Sequence, residues 1–200
     1  MKKILILVLI LAGVYWLWGR EKPEIKNAGK TGATIVAFGD SLTYGKGAPR
    51  EQTYPAVLAE LTGKNIVNLG LNGDTGAAAP RRLPQALEHR PYMVLIEFGG
   101  NDFMRGAAFE QTLASISQII DEVQAAGAVA VVVDTGGYYA MEKYSKAYKK
   151  LAREKGAVFV PGILDGIFGK KDLMSDQIHP NAAGYKIVAE RVYKEIKDYL

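Results

Sequence analysis

One serine, one aspartate and one histidine of this sequence have the side chains that nucleophilic acyl transfer requires. Ser41 lies in AFGDSLTYG, residues 37–45, directly after an apolar run. Asp176 precedes His179 in a D-x-x-H pattern, so the carboxylate can accept a hydrogen bond from one ring nitrogen while the other faces a nucleophile. These residues predict a serine nucleophile, a histidine base and an aspartate that orients the base.

Ser41 also has a plainer interpretation. A serine at a strand-to-helix junction is often a helix N-cap, because its oxygen accepts the free N–H groups of the first turn. The second histidine, His89, lies in His-Arg-Pro before an apolar run and is expected at the opposite end of the sheet. His179 is therefore the histidine that we expect to act as the base.

An asparagine could stabilise the negative charge that develops during acyl transfer. Asn101 follows two glycines, which leaves room for a carbonyl group to approach its amide. Together with the N–H groups of Ser41 and Gly73, that amide would form an oxyanion hole with three donors. Asn101 could instead be a simple turn former, and Gly73 could serve only a turn with positive φ.

The elements that must position these residues alternate along the chain. Apolar runs at 34–38, 65–69, 93–98, 128–133 and 158–160 are separated by stretches of helical spacing at 54–61, 81–88, 109–126, 139–155 and 181–200. Near-continuous apolar strands between helices predict a parallel sheet covered on both faces. We therefore expect an α/β domain, a three-layer α/β/α sandwich with about five strands, and a site at the carboxyl ends of the strands.

The N-terminus contains an uncharged segment, residues 4–18, preceded by two lysines. A helix of this length covers roughly 22 Å, less than the roughly 30 Å of a bilayer core, and is long for a signal peptide. The segment is an export signal or a short anchor, and its aromatic residues, with no small-x-small cleavage site after them, favour a retained membrane anchor.

The positive charges before the segment predict a domain on the periplasmic or extracellular side. We divide the chain into a signal or anchor at 1–19, a linker at 20–32 and a catalytic domain at 33–200.

Composition excludes several other classes of protein. The chain has no cysteine, which rules out disulfides, thiolate metal sites and a cysteine nucleophile. The net charge of +4 forms no basic stripe, so nucleic acid is not an expected partner. Two rival classes stay open: a non-catalytic ligand-binding domain and a phosphoryl-accepting domain built on Asp40, Asp102 and Asp134, although no magnesium-binding acidic cluster is evident.

Four blocks occur in an order that identifies a family resemblance: GDSL at 39–42, the Gly73 loop, GND at 100–102 and D-x-x-H-P at 176–180. Over residues 34–200 the chain resembles the SGNH or GDSL hydrolases, and most of all their bacterial periplasmic thioesterase, arylesterase and lysophospholipase subgroup. The resemblance implies a flavodoxin-like fold, the catalytic residues Ser41, Asp176 and His179, and an oxyanion hole of Ser41, Gly73 and Asn101. It also implies that no cofactor or metal is needed. We further expect the protein to be a monomer.

The resemblance implies a carboxylic ester or thioester substrate, of the arylesterase, acyl-CoA thioesterase or lysophospholipase type, with a lipid among the candidates. A carbohydrate or cell-wall O-acetyl ester is the alternative. The expected substrate contacts are Asp40, Phe103, Met104 and Ile178. Phe103 and Met104 are bulkier than the residues expected here in the subgroup, and they are expected to narrow the groove that binds the substrate. The loop at 134–139 also differs from the subgroup, so the sequence does not define which residues form the acyl pocket.

Overall fold

The computed structural model describes residues 24–137 and 139–200, and in them five strands form one parallel sheet. The strands are β1 (Thr34–Gly39), β2 (Asn65–Gly70), β3 (Met93–Glu97), β4 (Val129–Val133) and β5 (Val158–Val160). Their spatial order is β2-β1-β3-β4-β5, and every neighbouring pair is parallel. The predicted fold class is confirmed.

Helices follow the strands and supply the outer layers. They are α1 (Ser41–Tyr44), α2 (Tyr54–Thr62), α3 (Leu83–Glu88), α4 (Gly100–Met104), α5 (Phe109–Ala125), α6 (Glu142–Lys155) and α7 (Ala182–Ile196). Short 3₁₀ turns occupy Arg50–Gln52, Ala79–Arg82, Tyr139–Met141 and Lys197–Tyr199. The sequence did not predict α4, because five residues do not contain a full apolar repeat of a helix.

The two faces of the sheet carry separate apolar cores. Ile35 and Ala37 of β1 lie in the core that α2 and α7 cover. Val36 and Phe38 point to the other face, where α3, α5 and α6 pack. Side chains alternate in this way because successive strand residues point to opposite faces. Burial of both faces explains why the central strands β1, β3 and β4 are apolar over most of their length, whereas the edge strand β2 is only partly buried and contains Asn65 and Asn68.

The strand order determines where the site forms. β1 lies between β2 and β3, so the connections from β1 and β3 leave the sheet at its topological switch point, where ligands bind in open α/β sheets. Ser41 follows β1 and Asn101 follows β3. Gly39 permits the close approach of these two strand ends, since a Cβ at this position would lie 2.7 Å from the Glu97 carbonyl oxygen.

Part of the predicted linker lies against the domain. Ile25 packs on the core beneath α7, and the Lys26 N–H donates to the Gly156 carbonyl at 2.9 Å. The Asn27 amide donates to the Ala128 carbonyl at 2.9 Å. The predicted signal or anchor at 1–19 lies outside the described residues, among which no helix has the length and apolar character to cross a membrane.

Candidate active site

Ser41 is the first residue of α1, and the N-cap of this helix is Asp40. The Asp40 carboxylate accepts a hydrogen bond from the Leu42 N–H at 2.9 Å. The interpretation of Ser41 as the cap is therefore wrong, because the preceding side chain already fills that role. Ser41 Oγ instead lies 3.0 Å from His179 Nε2.

Asp176 orients His179 through a local turn. Its Oδ1 accepts the N–H groups of Ile178 at 2.9 Å and His179 at 2.8 Å, and its Oδ2 lies 2.7 Å from His179 Nδ1. Partial burial alone would raise the pKa of Asp176, but these hydrogen bonds outweigh it and lower the pKa to about 2. The carboxylate is thus ionised at any ordinary pH and favours the tautomer with a proton on Nδ1.

The histidine loop is held against the loop that follows α1. The Tyr185 hydroxyl of α7 donates to the Lys46 carbonyl at 2.8 Å. Gly47 has φ of 99°, and a Cβ at this position would lie 2.6 Å from the Pro180 carbonyl oxygen. These contacts hold the loop that carries His179 close to the loop after α1, so that His179 can contact Ser41.

His89 lies at the other edge of the sheet. It follows α3 and precedes β3, which begins at Met93, and its side chain is exposed. The prediction that His89 is a surface residue at the amino end of the sheet is confirmed.

The Asn101 amide is engaged by two acceptors. Its Nδ2 donates to Asp40 Oδ2 at 3.0 Å and to the Asp74 carbonyl at 2.8 Å. An oxyanion would therefore have to share one of these amide hydrogens. The N–H groups of Ser41 and Gly73, in contrast, donate to no other residue within the described part of the chain.

The loop after β2 carries Gly73 and is anchored by an arginine that sequence reasoning missed. Arg82 Nε donates to Asp74 Oδ2 at 2.9 Å, and its terminal nitrogens reach the carbonyls of Leu69 at 3.2 Å and Gly39 at 3.3 Å. One guanidinium thus joins the ends of β1 and β2 to the loop. No local pattern marks Arg82, because its partners lie on three different segments.

Gly73 itself adopts a left-handed conformation, with φ of 76°, as one of its two predicted roles requires. The Arg105 guanidinium donates to its carbonyl at 2.8 Å. Gly73 does not line the cavity at the site, and the carbonyl of the neighbouring Asp74 accepts the Asn101 amide.

The aspartates of the phosphoryl-acceptor alternative are occupied by donors. Asp102 is fully buried and accepts the N–H groups of Gly76 and Ala77, at 2.7 and 3.0 Å. Asp134 accepts from the Ser145 hydroxyl at 2.9 Å, and burial raises its pKa. Neither presents a free carboxylate. No cluster of three or more metal-ligating side chains occurs in residues 24–137 and 139–200.

A mostly apolar cavity of about 180 Å³ opens beside Ser41 and His179. Its wall contains all four predicted substrate contacts, Asp40, Phe103, Met104 and Ile178, and also Leu42, Gly100, Asn101, Thr135, Gly136, Met141, Leu164 and Phe168. Asp40 borders the cavity, but both of its oxygens accept internal hydrogen bonds. The hydrogen bond from the Asn101 amide makes Asp40 a support for Asn101, and its role as a substrate contact stays a prediction.

Other wall residues were not predicted. Leu164 and Phe168 come from the segment after β5, where no apolar repeat or motif distinguishes them. Thr135 and Gly136 show that the unusual loop at 134–139, whose role the sequence left open, forms part of the cavity wall. Phe103 packs edge-to-face on Tyr144, with ring centroids 6.3 Å apart, and is 41 % exposed.

The sequence matches the model of the GDSL-like lipase/acylhydrolase family over residues 37–187. This chain belongs to that family. It is 32 % identical over 174 residues to thioesterase 1/protease 1/lysophospholipase L1 of Escherichia coli K12, covering 82 % of this chain and 83 % of that protein.

Two solved structures resemble this GDSL hydrolase closely. The crystal structure of TesA superposes with a TM-score of 0.78 at 30 % identity, covering 84 % of this chain and 99 % of TesA. The esterase EstA from Pseudoalteromonas sp., inhibited by monoethylphosphonate, superposes with a TM-score of 0.75 at 26 % identity, covering 84 % and 98 % of the two chains. The chain is a serine ester hydrolase, as predicted, and the non-catalytic alternative loses its support.

Proposed function

We propose that Ser41 is the nucleophile, His179 the general base and Asp176 the residue that orients the base. The observation that carries this proposal is the continuous hydrogen-bonded chain from Ser41 Oγ through His179 to Asp176, with distances of 3.0 and 2.7 Å. Hydrogen-bond contact between nucleophile and base, with a third group behind the base, is the arrangement that serine acyl transfer requires.

In the first step, Ser41 Oγ attacks the carbonyl carbon of the ester while His179 Nε2 takes the serine proton. The tetrahedral intermediate collapses to an acyl-serine, and the alcohol or thiol leaves with the proton that His179 returns. Water then attacks the acyl-serine with His179 again acting as base, which releases the carboxylic acid and regenerates Ser41.

We assign the oxyanion hole to the N–H groups of Ser41 and Gly73 and to the Asn101 amide. The two backbone donors carry no other hydrogen bond within the described residues, which supports their assignment. Asn101 contributes by sharing the hydrogen that it otherwise donates to Asp74, at 2.8 Å in this structure. Preorganised donors of this kind are often the largest single contribution to catalysis.

The substrate is proposed to be a carboxylic ester or thioester with a short to medium acyl or aryl group. A cavity of roughly 150 Å³ in another protein accommodates benzene, so the 180 Å³ here fits a group of similar size. The apolar wall favours such a group over a sugar, which would leave its hydroxyls unpaired. Aryl esters, acyl-CoA thioesters and lysophospholipids differ in their leaving groups, and all three stay candidates.

Phe103 is proposed to limit the length of the acyl group. Phe103→Gly should move the preferred p-nitrophenyl ester to a longer chain, because the ring forms part of the cavity wall. Leu61→Gly is a matched control, since Leu61 is 40 % exposed, close to the 41 % of Phe103, and lies at the end of α2 away from the cavity. Superimposable chain-length profiles of wild type and Phe103→Gly would remove this role.

We further propose that residues 1–19 export the protein or anchor it to a membrane, with the catalytic domain on the periplasmic or extracellular side. The support is the uncharged segment at 4–18 behind two lysines. The protein is proposed to act as a monomer.

The triad is tested by replacing its nucleophile. Ser41→Ala should lower kcat for a p-nitrophenyl ester by roughly 10⁴-fold or more, as removal of a catalytic serine does, and should leave the melting temperature within a few degrees. Ser117→Ala, on α5 and far from the cavity, should keep wild-type activity. Substantial activity in a folded Ser41→Ala protein would rule out the proposed mechanism.

A further inference from the structure

Beneath the nucleophile lies a carboxyl group that the mechanism above does not use. Glu97 ends β3 and is completely buried. Its oxygens accept hydrogen bonds from the hydroxyls of Thr43 at 3.0 Å and, more weakly, Thr135 at 3.5 Å. A charge buried without a cationic partner is very costly, so the protonation state of this group needs an explanation.

The contact with Thr43 connects Glu97 to the helix that carries Ser41. The Thr43 hydroxyl donates its one hydrogen to Glu97, so the Tyr54 hydroxyl, 3.0 Å away, donates to Thr43. Thr43 lies two positions after Ser41 in α1 and is fully buried. The end of β3 therefore fixes the first turn of the nucleophile helix from below.

The carboxyl groups of Glu97 and Asp40 are neighbours, because Gly39, directly before Asp40, pairs with Glu97 across β1 and β3, and their interaction is that of a shared hydrogen bond. Two carboxyl groups can bond in this way only if one of them carries a proton. Asp40 accepts N–H groups from Leu42 and Asn101, which stabilise its ionised form. Glu97 receives the Asp40 N–H as well as the two hydroxyl donors, but its complete burial beside the Asp40 carboxylate outweighs these donors, so the proton resides on Glu97.

The charges around the pair act in the same direction. Burial, together with the charge of Asp40, raises the pKa of Glu97 well above its ordinary value, while burial raises the pKa of Asp40 to about 6. Other titratable groups that interact with the pair are Asp102 and the tyrosines Tyr54, Tyr148 and Tyr185, while Arg82 bonds the Gly39 carbonyl and Asp74 rather than either carboxyl. None of these interacting groups is a cation that would draw the proton from Glu97.

We propose that Glu97 is a positioning residue of the active site, whose carboxylic acid donates a hydrogen bond to the Asp40 carboxylate and so orients the Asn101 amide and the start of α1. The inference rests on the proposed function, in which Asn101 stabilises the oxyanion. Glu97 touches no substrate atom in this scheme and acts through Asp40.

Loss of this donor has a definite consequence. Asp40 without the Glu97 hydrogen bond is a buried carboxylate with one donor fewer, which favours its protonation and weakens its hold on Asn101. A misplaced oxyanion donor weakens binding of the transition state but not of the ester in its ground state. The loss should therefore appear in kcat and leave KM nearly unchanged.

Three variants test this proposal. Glu97→Leu should lower kcat by roughly 10- to 100-fold, less than outright removal of an oxyanion donor, with KM within about threefold of wild type. Glu97→Gln keeps a donor to Asp40 and an acceptor for Thr43, and should keep kcat within about threefold. Val133→Ala, at the β4 position paired with Glu97, should lower the melting temperature and keep kcat.

Wild-type kcat in Glu97→Leu, or an equal loss in Glu97→Gln and Glu97→Leu, would overturn the proposal. A similar loss in folded Val133→Ala would overturn it too, because the effect would then follow stability alone. If Glu97→Leu does not fold, infrared spectroscopy decides: at neutral pH the wild type should show a protonated carboxyl band that Glu97→Gln lacks, and its absence from the wild type contradicts the assignment. This readout needs no turnover, so it stands apart from a failure of the Ser41 mechanism.

Discussion

Two aspartates next to the proposed catalytic side chains occupy opposite environments. Asp176, beside His179, has a side chain that is 46 % exposed, and its N–H donors lie within three residues along the chain. Asp40, beside Ser41, is buried and is bonded to Asn101, 61 positions away. The pKa of Asp176 is lowered to about 2, whereas burial raises the pKa of Asp40 to about 6.

These environments divide the site into two halves: the turn that contains Asp176 and His179, and the proposed oxyanion side that contains Asp40 and Asn101. His179, the proposed base, is oriented by a local turn whose own hydrogen bonds lie within residues 174–180. The oxyanion side is assembled by the fold, because its groups come from the ends of β1, β2 and β3 and meet only when the sheet is complete. A change in the first half should act on proton transfer alone, whereas a change in the second should act on catalysis and stability together.

The largest effect that distinguishes the halves is expected at Asn101. Asn101→Ala should lower kcat by roughly 10²- to 10³-fold with little change in KM, as single oxyanion donors do. It should also lower the melting temperature, because Asp40 Oδ2 and the Asp74 carbonyl lose their donor. Steady-state kinetics and thermal unfolding measure both effects.

Asn65→Ala is the control, since Asn65 is exposed at the start of β2, at the far edge of the sheet. It should match wild type in kcat. An effect of Asn101→Ala on KM alone would make this residue a substrate-binding group and would weaken the division of the site.

A smaller effect concerns stability and pH. In the folded chain Asp40 keeps its proton up to about pH 6, whereas an unfolded aspartate loses it near 3.8. The folded state binds more protons between these values, so the free energy of unfolding should fall as pH rises through this window, by about 3 kcal/mol. The pKa shift of Asp176 has the opposite sign. The stability that Asp176 contributes is complete above pH 3.8 and is lost only as pH falls through about 2.

Urea unfolding of wild type and Asp40→Asn at a series of pH values measures this slope. The variant should show a flatter dependence between about pH 4 and about pH 6, because its side chain does not titrate. Parallel stability curves for the two proteins would show that protonation of Asp40 does not cause the pH dependence.

The sequence predicted the residues around the proposed base, His179, and only part of the proposed oxyanion hole. D-x-x-H specifies its own turn, since every bond to the Asp176 carboxylate comes from residues 176–179. Apolar runs predicted all five strands to within a residue or so at each end, because strands buried on both faces are mostly apolar and the partly buried edge strand β2 still contains Ile66, Val67 and Leu69. Sequence motifs identified Asn101 and Gly73, but they did not identify the residues that bond to them, such as Asp40 and Arg105.

Glu97 shows why those partners were missed. It ends an apolar strand, and its partner Thr43 lies 54 positions earlier in the chain. Only the parallel pairing of β1 with β3 brings the two ends of these strands together. Arg82 and the cavity residues Leu164 and Phe168 are similar cases, since tertiary contacts rather than a local pattern define their surroundings.

Covalent labelling tests the central claim, that Ser41 is a nucleophile activated by His179. Wild type treated with a fluorophosphonate and digested for mass spectrometry should carry one adduct, on the peptide that contains Ser41, and His179→Ala should label far more slowly because the base 3.0 Å from Ser41 Oγ is gone. An adduct on another residue, or equal labelling rates in wild type and His179→Ala, would contradict the account.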